Sequence, residues 1–431
     1  MAAAIKDVTA REVMTNKGIP TVEVDVILDD GSIGRAAAPG GTSRGGNEAK
    51  DLFDHDPAYF QGRGVNKAIS NVKTEIAACL KGKNALDQVT VDGLLKELDG
   101  TDDKSRLGCN AIIATSIANA KAAAESLRAP LFRQLGGGNQ IPLPFIYVMF
   151  GGPAYVGLEG TCDFQEYALI PLKAKTYKEG YLSSLGIYRR LCNILGERTG
   201  HKTPNYPKLG GALTARFDSN EEALAVLTEL IAAEGYVPGQ DFGICLDIAA
   251  SQLYKDGKYH LQRDHLSLSR DEMIAMLGDL CAKYPIVSME DCLFEDDWEG
   301  WKILTSRLGK RVQLVGDDLF VTNPQRLKQG IELGVANGII IKPNQIGTLT
   351  ETAQAISIAK DAGYSTMISP RSGELWDPYI VHLCVGQSLG QGKIVGAYPS
   401  GEANLNELLR VRDALGKTAV QADMSVLHQF K

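Results

Sequence analysis

The chain has 431 residues, 44% of them hydrophobic and 23% charged, with a formal net charge of −7. That composition excludes a disordered or fibrous protein, and the length admits two domains. The acidic balance leaves no basic footprint for nucleic acid or an anionic membrane, and no apolar run approaches a membrane span.

Residues 5–37 alternate apolar with polar, most clearly at Val22, Val24, Val26 and Leu28, which predicts half-buried antiparallel strands. Asp29-Asp30-Gly31 is a hairpin signal between two of them. Next comes Pro39-Gly40-Gly41-Thr42-Ser43-Arg44-Gly45-Gly46, with four glycines in eight residues. It reads either as a plain surface turn or as a mobile loop whose amides approach a phosphate. Helices are expected at 65–80, 90–98 and 110–126, the last rich in small residues. Leu135–Pro142 carries three consecutive glycines and is the clearest linker. The expected domains are therefore 1–135 and 141–431.

Beyond the linker, 145–150 and 164–171 read as apolar strands. Gln165 and Glu166 interrupt the second. Two readings of Glu166 stand: an edge residue facing water, or a buried acid with a function, since an unpaired buried acid is costly. Residues 177–197 and 220–233 read as helices, with a loop rich in Gly, Pro and Thr between them.

Five apolar runs follow, separated by helical segments. They end at Asp247, at Glu290 and Asp291, at Asp317 and Asp318, at Lys342, and at Arg371 and Ser372. Continuous apolar runs of this kind are buried parallel strands, and a β/α barrel gathers its strand ends on one rim. Helix signals fall between them: a capping box at Ser269–Glu272, Asn323-Pro324 with Gly334, and Thr348–Glu351 with Gly363.

Asp247, Glu290 and Asp317 brought together would repel unless a cation lay between them, and an all-oxygen set suits Mg²⁺ better than zinc. Lys342 follows three isoleucines. In apolar surroundings near a divalent cation its pKa is expected to fall, making it a general base. Arg371 and Ser372 present directed donors for a phosphate or carboxylate. The eight cysteines stand singly with no CxxC pair, which suits buried thiols and a reducing cytoplasm. Met1-Ala-Ala-Ala-Ile-Lys lacks a signal-peptide core, which agrees with that expectation.

These residues resemble the enolase (phosphopyruvate hydratase) family along nearly the whole chain. The resemblance rests on AREVMTNKGIPTVEVDV, FQEY, LDIAAS, SMEDCLFEDDW, VGDDLFVTNP, KPNQIGTLTET and PRSGE. It implies a smaller α+β N-terminal domain ahead of a modified (β/α)8 TIM-type barrel whose first two strands run antiparallel. It implies Mg²⁺ at Asp247, Glu290 and Asp317, Lys342 as base, and phosphate on Arg371 and Ser372. Ser43 matches the loop serine that reaches a second metal ion, and Gln165 is assigned to substrate binding. The family also implies a homodimer or higher homo-oligomer and a small phosphorylated carboxylic acid as substrate.

The departures fall in the site. Leu209 stands where the family has a glutamate that helps expel hydroxide. Ala154 and Pro370 stand where it has histidines, and Lys17 where it has an arginine. The family's last lysine corresponds to Lys393 if the loop before Gly396 carries one extra residue, and otherwise to Ile394. Proton abstraction is therefore expected to survive. Glu166 is the remaining acid for the second half-reaction. Three functions are compatible: 2-phosphoglycerate dehydration, a diverged reaction such as carboxyphosphonoenolpyruvate synthesis, or a non-catalytic scaffold.

Overall fold

The computed structural model describes residues 3–41, 44–142, 147–151, 162–199, 216–394 and 399–427. The expected alternation produces a three-stranded antiparallel meander: β1 (Ile5–Met14), β2 (Pro20–Leu28) and β3 (Ile33–Ala37). Val22, Val24, Val26 and Leu28 are fully buried. The meander packs against the helix Cys109–Ser126, whose alanines allow a close approach. A Cβ at Gly34 would fall on the Ala118 carbonyl and the Ala122 amide, so only glycine fits there. The helix expected at 65–80 is a composite: Asn66–Asn71 passes through a π-helical turn, Val72–Ile76, into Ala77–Leu80.

Eight further strands form one sheet in sequence order. They are β4 (Tyr147–Gly151), β5 (Glu166–Pro171), β6 (Phe242–Asp247), β7 (Ile286–Glu290), β8 (Gln313–Gly316), β9 (Gly338–Ile341), β10 (Ser365–Ile368) and β11 (Gln391–Gly392). β5 runs antiparallel to both of its neighbours, and from β6 onward all pairing is parallel. This is a modified β/α barrel behind a smaller α+β unit, as expected. The helix signals hold as well. Ser269 and Glu272 form a reciprocal capping box, Asn323 caps a helix that ends at a left-handed Gly334, and Thr348 caps Leu349–Asp361.

Side chains alternate between two apolar layers, as the pleat demands. Ala168, Ile170, Cys245, Val315, Ile340 and Met367 form an inner cluster. Leu169, Ile244, Leu246, Leu314, Ile339 and Ile341 join the larger core shared with the helices. Gln313 and Gln391 also point inward and bond each other at 2.5 Å (Nε2 to Oε1). Two residues beyond these inner positions come Asp247, Asp317, Lys342 and Lys393. Counting back two from Ala168, on the reversed strand, comes Glu166. Residue parity thus aims them all at the barrel mouth.

The N-terminal unit sits against that mouth. Gly40 and Gly373 exchange two backbone hydrogen bonds of 2.9 and 2.8 Å, and the Ala49 N–H donates to the Gln345 carbonyl at 2.8 Å. Lys104 reaches Glu351 on a barrel helix at 3.0 Å.

Candidate active site

The inversion of β5 decides one side of the site. Because β5 runs backwards, its first residue lies level with the last residue of β6, and Glu166 pairs with Asp247 in register. Asp247 pairs in turn with Glu290. All three carboxylates are buried, so the water-facing reading of Glu166 is corrected. The Lys393 Nζ meets them at 2.6 Å (Glu166 Oε2), 2.8 Å (Glu290 Oε2) and 3.8 Å (Asp247 Oδ2). Lys393 therefore faces the mouth, while Ile394 is buried in the outer core. Gln165 donates from Nε2 to Asp247 Oδ2 at 2.9 Å. A small cavity of about 10 Å³ lies among Glu166, Asp247, Glu290 and Lys393, with Cys245 and Ser288 also in its wall.

The other side is built around Asp317. Its Oδ2 is bonded by the Lys342 ammonium. Its Oδ1 accepts from Gln345 Nε2 at 2.8 Å, and Gln345 is itself fixed by the Thr322 hydroxyl at 2.8 Å. Arg371 is buried and donates from Nη1 to Glu48 Oε1 at 2.9 Å. The glycine-rich loop packs directly on this guanidinium, because a Cβ at Gly41 would collide with Arg371 Nη2. The loop's far end is tied by the Gly46 N–H to Glu295 Oε1 at 2.8 Å. The described ends of the loop therefore pack on the barrel, and its middle, Thr42 and Ser43, lies outside the described residues. Ser372, beside Arg371, is half-buried.

Among the described residues acids outnumber cations here: Glu48, Glu166, Asp247, Glu290, Asp291, Asp317 and Asp318 against Lys342, Arg371 and Lys393. Burial, reinforced by the Glu290 charge, pushes the Asp247 carboxyl well above the carboxylate range. Burial and the neighbouring Asp317 push Asp318 up to about 8. Glu290, Asp291 and Asp317 have carboxylate oxygens within 4.8 Å of one another. A buried oxygen-rich cluster with this excess of negative charge fits a hard divalent cation. The tight group contains Asp291 where the sequence reading had Asp247. Asp247 stands instead within reach of Lys393.

The fall expected for the Lys342 pKa beside a divalent cation meets an opposing interaction within the protein. Burial does pull it down, but the adjacent Asp317 carboxylate outweighs burial, and the net shift is upward. Asp317 is lowered correspondingly: burial raises it, and Lys342 prevails.

Two family models match the chain. One, described as the enolase N-terminal domain, covers residues 5–135, and the other, the enolase C-terminal TIM barrel domain, covers residues 139–430. The chain belongs to the enolase family. Among the described residues no helix is long and apolar enough to cross a membrane.

As for the departures from the enolase pattern, Pro370 stands half-buried next to Arg371 and offers no titrating ring. Lys17 is half-buried, and burial lowers its pKa. Ser43, Ala154 and Leu209 lie outside the described residues. Sequence reasoning assigned no role to Glu48, Gln345 or Glu295. Gln345 lies inside a quoted motif and Glu295 five residues past Glu290, but Glu48 has no local signal at all. Its partners Arg371 and Gln345 lie some 300 positions away, at separations of 323 and 297.

Proposed function

We propose that this enolase-family lyase uses Mg²⁺ to abstract the α-proton of a three-carbon phosphorylated or phosphono carboxylic acid. The nearest family reaction is 2-phosphoglycerate to phosphoenolpyruvate and water. The observation that carries the reading is the convergence of Lys342 and a buried excess of carboxylates on one rim of the barrel. Asp247, Glu290 and Asp317 would hold the ion, which would supply positive charge beside the substrate carboxylate and so acidify the α C–H.

The remaining roles belong to side chains. Lys342 takes the α-proton on Nζ, for which it must first be neutral, and Arg371 and Lys393 both oppose its charge. Arg371 and Ser372, with Ser43, bind the phosphate or phosphonate. Lys393 and Gln165 orient the carboxylate. Glu166 is the acid left for proton donation to a leaving group. Pro370, which cannot donate a proton, favours the second reading, in which a diverged enolase homologue, such as a carboxyphosphonoenolpyruvate synthase, carries out another second step. The two family matches support dividing the chain at 1–135 and 141–431. Eight free cysteines support a cytoplasmic location, and the family supports a homo-oligomer.

The test is incubation with Mg²⁺ and 2-phosphoglycerate in D₂O, following α-proton exchange and phosphoenolpyruvate together. Both signals support the nearest family reaction, and exchange without elimination supports the diverged one. Neither signal, with no Mg²⁺ uptake, leaves a non-catalytic scaffold.

A further inference from the structure

Distance alone groups Asp291 with Glu290 and Asp317. Hydrogen-bond direction separates it from them. Every polar atom of Asp291 is engaged by backbone within or just after a neighbouring strand. Its N–H donates to the Val315 carbonyl at 3.0 Å, and its carbonyl accepts from the Ala250 N–H at 3.0 Å. Its Oδ1 accepts from the Asp317 N–H and its Oδ2 from the Asp318 N–H, each at 2.9 Å. The residue also sits at φ 45°. That left-handed conformation is unfavourable for a residue with a side chain and persists where surrounding contacts over-determine it. These four bonds do so, and they stitch the segment after Asp247 to the segment that carries Asp317.

The side chain of Asp317 is then fixed from two directions. Gln345 holds one oxygen at 2.8 Å, and Asp291 holds the backbone from which the side chain springs. We propose that Asp291 is a positioning residue of the cation site and not one of its ligands: it sets the backbone at Asp317 and Asp318, and so aims the Asp317 carboxylate toward Glu290. The proposal rests on the reading that Asp247, Glu290 and Asp317 hold a divalent ion.

The experiment uses the full chain without substrate. Mn²⁺ binding is measured by calorimetry and electron paramagnetic resonance, and the melting temperature is measured without metal. Asp291→Asn keeps one acceptor oxygen and turns an NH₂ toward the other buried N–H. It is expected to weaken Mn²⁺ about 10–100-fold, the usual effect of losing an outer-shell partner, with the number of bound ions and the Mn²⁺ spectrum unchanged. Loss of one bound ion per chain, or an altered ligand set, makes Asp291 a ligand and overturns the proposal. Unchanged affinity with a lowered metal-free melting temperature leaves a purely structural role and also overturns it. Asp291→Ser, smaller and without the opposed NH₂, gives the same reading if the Asn variant does not fold. An unaltered chain that takes up no Mn²⁺ sinks the cation-site reading itself, and this proposal with it.

Discussion

Lys393 and Lys342 both stand at inward positions on the barrel rim, yet they meet different company. Lys393 lies between three acids, with Glu166 and Glu290 at 2.6 and 2.8 Å and Asp247 at 3.8 Å. Burial works against its charge, but those carboxylates hold its pKa well above the usual lysine value. Lys342 is bonded to Asp317, while Arg371 and Lys393 push against its charge. A cation that engaged Asp317 would weaken the strongest support of the Lys342 charge and leave Glu166 still beside Lys393. Under the proposed assignment the ion draws on acids of both lysines, but Lys393 keeps Glu166, whereas the carboxylate bonded to Lys342 is itself a proposed ligand. That difference is what favours Lys342 over Lys393 as the proposed base.

The sharpest way to break that comparison is Lys342→Ala. It is expected to lower α-proton exchange by a factor of about 10²–10⁴, the usual worth of a general base. A variant exchanging deuterium at the native rate would end the assignment.

Lys393→Met probes the other half, and its main effect is on stability. Removing one partner of a buried ion cluster typically costs about 3–5 kcal/mol. Urea unfolding of the metal-free variant should show a loss of that order, partly recovered on adding Mg²⁺. Equal stability with and without the lysine would show that the cluster is not held by its charge.

Glu374 carries a smaller, pH-dependent effect on the Arg371 side. Its carboxyl is fully buried and accepts the Arg371 N–H at 3.0 Å, and burial pushes it up to about 8. Because the folded pKa is raised, the native state binds a proton that the unfolded chain has already released. The contribution is complete below the ordinary carboxyl range and is lost as the pH rises through about 8. Glu374→Gln should therefore flatten the fall in stability by about 1 kcal/mol per pH unit across that window. Melting curves of both proteins that stay parallel from pH 5 to pH 9 would contradict it.

The smallest effect is expected away from both halves. Ser269 caps the helix Arg270–Lys283. Ser269→Ala should cost about 1 kcal/mol in thermal unfolding and leave deuterium exchange untouched.

Legibility followed the range of the interactions. The strand ends at Asp247, Glu290, Asp317 and Lys342 could be read because each closes an apolar run several residues long. β11, by contrast, has only two residues, Gln391 and Gly392. No run announced it, so Lys393 and Ile394 stayed undecided. The inward direction of Gln391 carried the answer, since Lys393 shares its parity. Glu166 was ambiguous for another reason: the pleat assigns a face but not a strand direction. Only the antiparallel seating of β5 brings its first residue to the rim.

The sequence by itself determined the alternation of strands and helices, the caps, and the set of acids and cations at the run ends, because these depend on local periodicity and on neighbours three or four residues apart. Only the tertiary structure decided which carboxylate faces which ammonium. Hence the upward shift of Lys342, the meeting of Glu48 with Arg371 and the backbone engagement of Asp291 came from the fold alone. Coulomb energy and hydrogen-bond direction depend on distances of a few ångströms between groups far apart in the chain, and no local pattern encodes those distances.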